Sequence, residues 1–288
     1  MKTPKRMLPL VEDGLVDEVI RQLMSGKEAT VYVVRCGDEI RCAKVYKEAD
    51  KRSFRQSTDY TEGRKVKNSR RARAMDKGSS YGRKAQEEDW QNAEVDALYR
   101  LAAAGVRVPK PYNFHEGVLL MELVTDAEGN AAPRLNDLAL SPELSREYHR
   151  ILIAQVVRML CTGIIHGDLS EYNVLVDSAG PVIIDLPQAI NASANNQAHQ
   201  LLLRDVQNLA VYFGQFAPEL LITDYGNEIW ALYQSSQLQP ESVLTGHFEK
   251  NEKPVDLKGV MREISDTLKD EETRQLAIAS RANKGLIL

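Results

Sequence analysis

The sequence predicts an α+β protein of two lobes, a small β-rich lobe over 15–122 and a mainly helical lobe over 123–288, after an N-terminal tail of 1–14. Three observations carry that expectation. Between Val19 and Tyr46, three short runs rich in β-branched residues are separated by glycine-containing turns, the pattern of consecutive hairpin strands. Apolar residues then recur at helical spacing, at Trp90, Ala93, Ala97, Leu98 and Leu101 and again across Leu201–Phe213. Between those stretches, Val174-Leu175-Val176 and Val182-Ile183-Ile184 flank a turn at Asp177-Ser178-Ala179-Gly180, which reads as a tight hairpin of two buried strands.

In chain order, the first strand, Val19 to Met24, enters Ser25-Gly26-Lys27-Glu28-Ala29-Thr30 and leaves as a second strand, Val31 to Arg35. Backbone N–H groups of a loop between two strands can approach phosphates, although the same loop taken alone is an ordinary hairpin turn. Past a turn at Gly37-Asp38, a third strand from Ile40 to Tyr46 carries Lys44 among apolar neighbours. A helix from Gln86 to Leu101, ending near Gly105, carries Glu94, and Gly117–Val124 reads as a buried strand. Beyond the helix Leu201–Phe213, Pro218 marks a junction, Glu228–Tyr233 and Val255–Leu268 are expected to be helical, and Arg274–Leu288 a last helix and loose tail.

The chemistry concentrates in His166-Gly167-Asp168-Leu169-Ser170-Glu171-Tyr172-Asn173 and the later Asp185. Moving a terminal phosphate requires a group to orient the attacking hydroxyl and hard oxygens to hold Mg²⁺. Asp168, Asn173 and Asp185 are such oxygens, in the order and spacing of the protein-kinase catalytic loop and metal-binding aspartate. Single Asp and Asn residues in loops more often satisfy backbone donors. Three in this order, with a hairpin to hold the two metal ligands side by side, point to phosphoryl transfer. On that reading Lys44 on the third strand pairs with Glu94 on the next helix, and the end of Gly117–Val124 is the hinge beside the adenine.

Ser25-Gly-Lys-Glu-Ala-Thr-Val-Tyr32, Ala43-Lys-Val-Tyr46, Val108-Pro-Lys-Pro111, the string from His166 to Asn173, Ile183-Ile-Asp-Leu-Pro-Gln188 and Arg204-Asp205 resemble the RIO family of atypical serine protein kinases, most closely its first subfamily. The resemblance runs from about Leu15 to Phe216. It implies a small two-lobed, protein-kinase-like enzyme that binds ATP and Mg²⁺, with Mn²⁺ as an alternative metal. It also implies transfer to serine, often its own, or hydrolysis of ATP through a phosphorylated metal-site aspartate. Carried over position by position, Asp168 is the catalytic base, Asn173 a metal ligand, and Asp185 the second ligand and the phosphate acceptor. Lys44 holds the α/β-phosphates and is held by Glu94; Ser25, Gly26 and Lys27 line the phosphate loop; the backbone of Glu122 and Leu123 faces adenine. Ser170 stands where most protein serine/threonine kinases have lysine, which fits the RIO pattern, whereas Asn195-Asn196 replaces the family's His-Pro. Asp185 continues as Leu186-Pro187 rather than Phe-Gly. Because the residues before Ala217-Pro218-Glu219 have a helical apolar face, that string is not read as the end of an activation segment, and none is expected.

Composition bounds the rest. With 288 residues, 43% of them hydrophobic, the chain fits one bilobal unit or two small domains. No apolar run reaches membrane-spanning length and the first residues lack a secretion signal, so the expectation is a cytoplasmic protein with no membrane partner. Cys36, Cys42 and Cys161 form no metal-ligand spacing and are expected to be reduced thiols. The net charge of -4 conceals a basic insert near 47–84; between Arg64 and Lys84, the cations Arg64, Lys65, Lys67, Arg70, Arg71, Arg73, Lys77, Arg83 and Lys84 stand against a single acid, Asp76. Its Gly78-Ser-Ser-Tyr-Gly82 centre is expected to be flexible. The insert is either a contact for RNA phosphates or a solvated loop; the association of RIO proteins with maturing small ribosomal subunits implies the former, through RNA or a ribosomal particle. Two other readings stay open. One is a small-molecule kinase of the aminoglycoside or choline phosphotransferase kind, whose acceptor pocket would use acids such as Asp224 and Glu228. The other is a nucleotide-gated RNA-binding scaffold, against which the full set Lys44, Glu94, Asp168, Asn173 and Asp185 argues, since a scaffold can dispense with a base.

Overall fold

Alternation of side chains along a strand decides what each face of the N-terminal sheet buries. The computed structural model describes residues 3–47 and 80–249. In it, strands β1 (Glu18–Ser25), β2 (Ala29–Cys36) and β3 (Glu39–Tyr46) form consecutive antiparallel hairpins, joined by β4 (Pro111–His115) and β5 (Val118–Glu122) in the order β1-β2-β3-β5-β4. Ala43, Val45, Val118 and Leu120 face one core and Tyr46 and Leu119 the other, so Lys44 projects on the side of Tyr46, with its ammonium 5.5 Å from that ring's centre.

The first face is closed by residues expected to trail as a tail. A 3₁₀ turn, Lys5–Met7, leads into helix α1 (Leu8–Glu12), and Met7 and Leu10 are fully buried against Val19, Val34 and Val118. Arg6 donates to the Tyr46 carbonyl at 2.6 Å, which fixes this segment to the end of β3. The physical reason is that a five-stranded sheet with two apolar faces needs two covers, and Met7 and Leu10 at one-turn spacing supply the second.

Helix α2 (Ser80–Ala103) covers the other face through Val95, Leu98 and Leu101. It begins earlier than the sequence suggests, so Ser80 to Gly82 are helical rather than a flexible centre. One interior glycine costs a helix only about 1 kcal/mol, and Arg83 to Glu88 are mostly good helix formers. The remainder of the basic insert, 48–79, lies outside the described residues.

In the helical lobe, α3 (Pro142–Cys161) is an element that sequence periodicity did not single out, because Ser145, His149 and Gln155 interrupt its apolar face and are themselves buried. Its start signal was present: Ser141 caps the helix by accepting from the Leu144 N–H at 3.2 Å, and Pro142 follows at the first position. Short strand β6 (Ile164–Ile165) pairs with β9 (Ile190–Asn191), and β7 (Val174–Asp177) with β8 (Gly180–Ile183) as the expected hairpin. Helix α4 (Ala198–Gly214), a 3₁₀ turn at Pro218–Ile222 and α5 (Tyr225–Gln234) complete the described part. The helices expected at Val255–Leu268 and Arg274–Leu288 lie outside it. Residues 186–197 hold only a turn, β9 and the approach to α4, so no activation segment intervenes. Arg107 joins the lobes, its guanidinium donating to Glu122 at the end of β5 (3.0 Å) and to Asp177 of β7 (2.5 Å).

Candidate active site

Lys44, Glu94 and Asp185 come from β3, α2 and the segment after β8, and meet in one place. The Lys44 ammonium lies 2.5 Å from Glu94 Oε1 and 3.0 Å from Asp185 Oδ1, while the Tyr46 hydroxyl donates to Glu94 Oε2 at 2.8 Å. Glu94 is buried on α2, where an unpaired carboxylate would be costly. Burial alone would favour neutral Lys44, but the charges of Glu94 and Asp185 overcome it and raise the ammonium well above its ordinary value. Asp185 moves the opposite way: burial would push it up, yet Lys44, with His166 and Arg134 beyond, holds the carboxyl below its usual range. Asp185 adopts φ 64°, a left-handed conformation that non-glycine residues pay for.

The catalytic loop is gripped from below by α4. Asp205, buried in that helix, accepts from the N–H groups of Gly167 at 2.8 Å and Leu169 at 2.9 Å. Arg204 donates to the Gly167 carbonyl and Asn208 to the Leu169 carbonyl, so a single helix face holds alternate backbone units on either side of Asp168. Burial pushes the Asp205 carboxyl up to about 6, against the two N–H groups and the charges of His166 and Arg204. His166 caps the loop from the other side, its Nε2 lying 3.1 Å from the Ile184 carbonyl. Asn173 donates through Nδ2 to the Asp168 carbonyl at 2.9 Å. Gln188 donates through Nε2 to Asp168 Oδ2 at 3.1 Å. Desolvation in the cleft raises the Asp168 carboxyl; the Asp185 charge adds to this, and His166 and Arg204 oppose it.

Ser25, Gly26 and Lys27 form the β1–β2 tip. The Gly26 N–H donates to the Ala29 carbonyl at 2.9 Å, so in this conformation it is committed to the turn and not available to a phosphate. Lys27 is exposed, whereas Lys47, which the sequence reading passed over, reaches back to the Ser25 hydroxyl (3.3 Å) and the Gly26 carbonyl (2.5 Å). At the hinge the Glu122 N–H donates to the Lys110 carbonyl at 2.8 Å, so that donor is committed to the segment leading into β4. The Glu122 carboxylate is held by the Arg107 fork; burial alone would raise it, and Arg107 with the Lys110 N–H keeps it below its usual range. Leu123 follows directly, half-buried at the lobe junction.

A family model described as "RIO domain" matches residues 30–225 of this chain. The chain belongs to the RIO family. It is similar to the RIO-type serine/threonine-protein kinase Rio1 of Haloferax volcanii, at 35% identity over 210 residues covering 71% of this chain and 66% of that one. The RIO-type serine/threonine-protein kinase Rio1 of Methanocaldococcus jannaschii is 31% identical over 74% of this chain and 68% of its own. The serine/threonine-protein kinase rio1 of Schizosaccharomyces pombe is 30% identical over 74% of this chain but only 41% of its own length. All three relatives carry the Rio1 name, the subfamily that the sequence strings resemble.

Within this RIO domain, the donor set fits a small hard cation. Because the Asn173 amide nitrogen is engaged with Asp168, its oxygen is the end left to a ligand, and Asp185 supplies a carboxylate. No group of three or more His, Cys, Asp or Glu side chains forms a metal cage among the described residues. Two protein oxygens completed by phosphate and water oxygens are what Mg²⁺ takes in nucleotide sites. The residues missed by sequence reasoning share one trait: Lys47, Gln188, Asn208 and Trp90 act by holding backbone or other side chains. Only the polar trio Arg204, Asp205 and Asn208 within the apolar period Leu201–Phe213 gave a signal that could have been read.

Proposed function

We propose that this chain is an ATP- and Mg²⁺-dependent phosphotransferase of the RIO type that phosphorylates serine, including its own. The observation that carries the reading is the Lys44 ammonium held between the buried Glu94 and the solvent-facing Asp185. An ammonium so placed can leave Asp185 for the α/β-phosphates while Glu94 keeps it oriented. Asn173 and Asp185 would hold Mg²⁺, which supplies charge neutralisation at the β- and γ-phosphate oxygens. Asp168 orients the acceptor hydroxyl. The hydroxyl oxygen bonds to the γ-phosphorus as the bond from that phosphorus to the β,γ-bridging oxygen breaks, ADP departs, and the hydroxyl proton passes to the Asp168 carboxylate. With no hydroxyl in place, the Asp185 carboxylate is the candidate acceptor, and water hydrolysis of that acyl phosphate completes an ATPase cycle.

The small-molecule kinase reading loses support because its acids are occupied. Asp224 caps α5 by accepting from the Asn227 N–H (3.3 Å), and Glu228 accepts from the N–H groups of Thr245 and Gly246 (both 2.8 Å). The basic run from Arg64 to Lys84 supports RNA or a ribosomal particle as partner. No helix among the described residues is long and apolar enough to cross a membrane, and Cys36, Cys42 and Cys161 are free cysteines; a cytoplasmic location is part of the proposal.

The test is incubation of the purified protein with Mg²⁺ and γ-labelled ATP. Label is expected on the wild-type protein and absent from Lys44→Ala and Asp185→Asn, with acid and base stability separating phosphoserine from an acyl phosphate. Equal labelling of both variants would defeat the reading.

A further inference from the structure

A carboxylate base has two oxygens and one free rotation, and only one oxygen can receive the proton. Something must hold the other. In this chain that contact is Gln188 Nε2 to Asp168 Oδ2, at 3.1 Å. Ser170, two residues beyond Asp168, brings no cation to the task.

Gln188 itself sits on a built support. The Ala189 N–H donates to the Leu186 carbonyl at 3.1 Å, closing a four-residue turn with Pro187 in its second position, where proline's fixed φ pre-forms the bend. The next residue, Ile190, pairs with Ile165, so the turn is stitched to the strand that delivers His166 and the catalytic loop. On its far side the turn is held by α2: Trp90 Nε1 donates to the Pro187 carbonyl at 3.0 Å, and the Trp90 ring packs edge-on against Tyr46 at 5.9 Å. Tyr46 in turn donates to Glu94. One helix therefore touches both halves of the machinery, the Lys44–Glu94 pair and the turn that steadies Asp168.

We infer that Gln188 is the positioning residue of Asp168, and that Trp90 ties its placement to helix α2, so that base and phosphate-binding lysine are assembled together without an activation segment. The inference rests on Asp168 being the base. Gln188 holds Oδ2 and leaves Oδ1 for the hydroxyl proton.

The experiment compares wild type, Gln188→Leu, Gln188→Glu and Asp168→Asn for transfer of label from γ-labelled ATP, with ATP and pH both varied. Gln188→Leu is expected to lower the maximal rate about tenfold with KM for ATP within about twofold, and to shift the acid limb of the rate profile to higher pH. Gln188→Glu keeps the size of the side chain and sets a carboxylate against Asp168, so its acid limb moves further the same way. Adding Trp90→Phe to Gln188→Leu should cost no more than Gln188→Leu alone, because both act through one contact. A wild-type rate and profile in both Gln188 variants, with Asp168→Asn inactive, overturns the role of Gln188 and leaves the base standing. Full activity of Asp168→Asn overturns the base, and this inference with it. Additive losses from Trp90→Phe overturn the link to α2.

Discussion

Asp205 concentrates two demands at one residue, since its carboxylate is buried and yet is the only side chain that meets both the Gly167 and Leu169 N–H groups in the described structure. Asp205→Ala would leave two backbone donors beside Asp168 without their acceptor. A loss of about 2–3 kcal/mol of stability is expected, with a matching fall in transfer, read by urea unfolding and by labelling. A change below about 0.5 kcal/mol would show that the loop is held elsewhere. His149 makes a pH prediction. It packs between Phe213 and Tyr225, its Nε2 finds no hydrogen-bond partner, and burial lowers its imidazole to about 4. The folded state holds it neutral while the unfolded state protonates near 6.5, so its contribution is intact above pH 6.5 and drains as pH falls towards 4. Unfolding of wild type and His149→Phe should diverge over that window by up to about 3 kcal/mol, and parallel curves would contradict it. At this scale Lys44, Glu94, Asp168, Asn173 and Asp185 could be named from sequence because phosphoryl transfer restricts their types and order. Lys47 could not, since a lysine in a loop carries no pattern until its partner is known, and Gln188 entered only as the end of a family string, with nothing to show that its partner is Asp168.

Among elements, the hairpins of the sheet and of β7–β8 were legible because β-branched runs and Gly-containing turns are local signals. Helix α3 was not, because its buried face includes Ser145, His149 and Gln155, and polar residues on an inward face break the period that reveals a helix. The start of the chain shows a different failure. Two apolar residues ahead of a strand look like a tail until the sheet exposes a second face for them to cover. Leu10→Ala should therefore cost about 2–4 kcal/mol in denaturant unfolding, the range for a fully buried leucine. An unchanged midpoint would mean that residues 5–12 contribute nothing to the lobe.

For the molecule as a whole, the proposed function depends on groups from both lobes meeting at one site. The β-rich lobe brings Lys44 and Glu94, the helical lobe Asp168, Asn173 and Asp185, and Arg107 bridges Glu122 to Asp177 behind them. Arg107→Ala should loosen that joint, raising KM for ATP more than it lowers the maximal rate, because it touches none of Asp168, Asn173 and Asp185. A pure loss of maximal rate would instead place Arg107 in the chemistry. The central claim is that Asp168 serves as base in a site whose nucleotide contacts lie elsewhere. It is tested most directly by measuring ATP binding and label transfer side by side in Asp168→Asn. Transfer is expected to fall by about a thousandfold while ATP affinity stays within about twofold of wild type. Transfer at the wild-type rate, or loss of ATP binding in step with transfer, would contradict it.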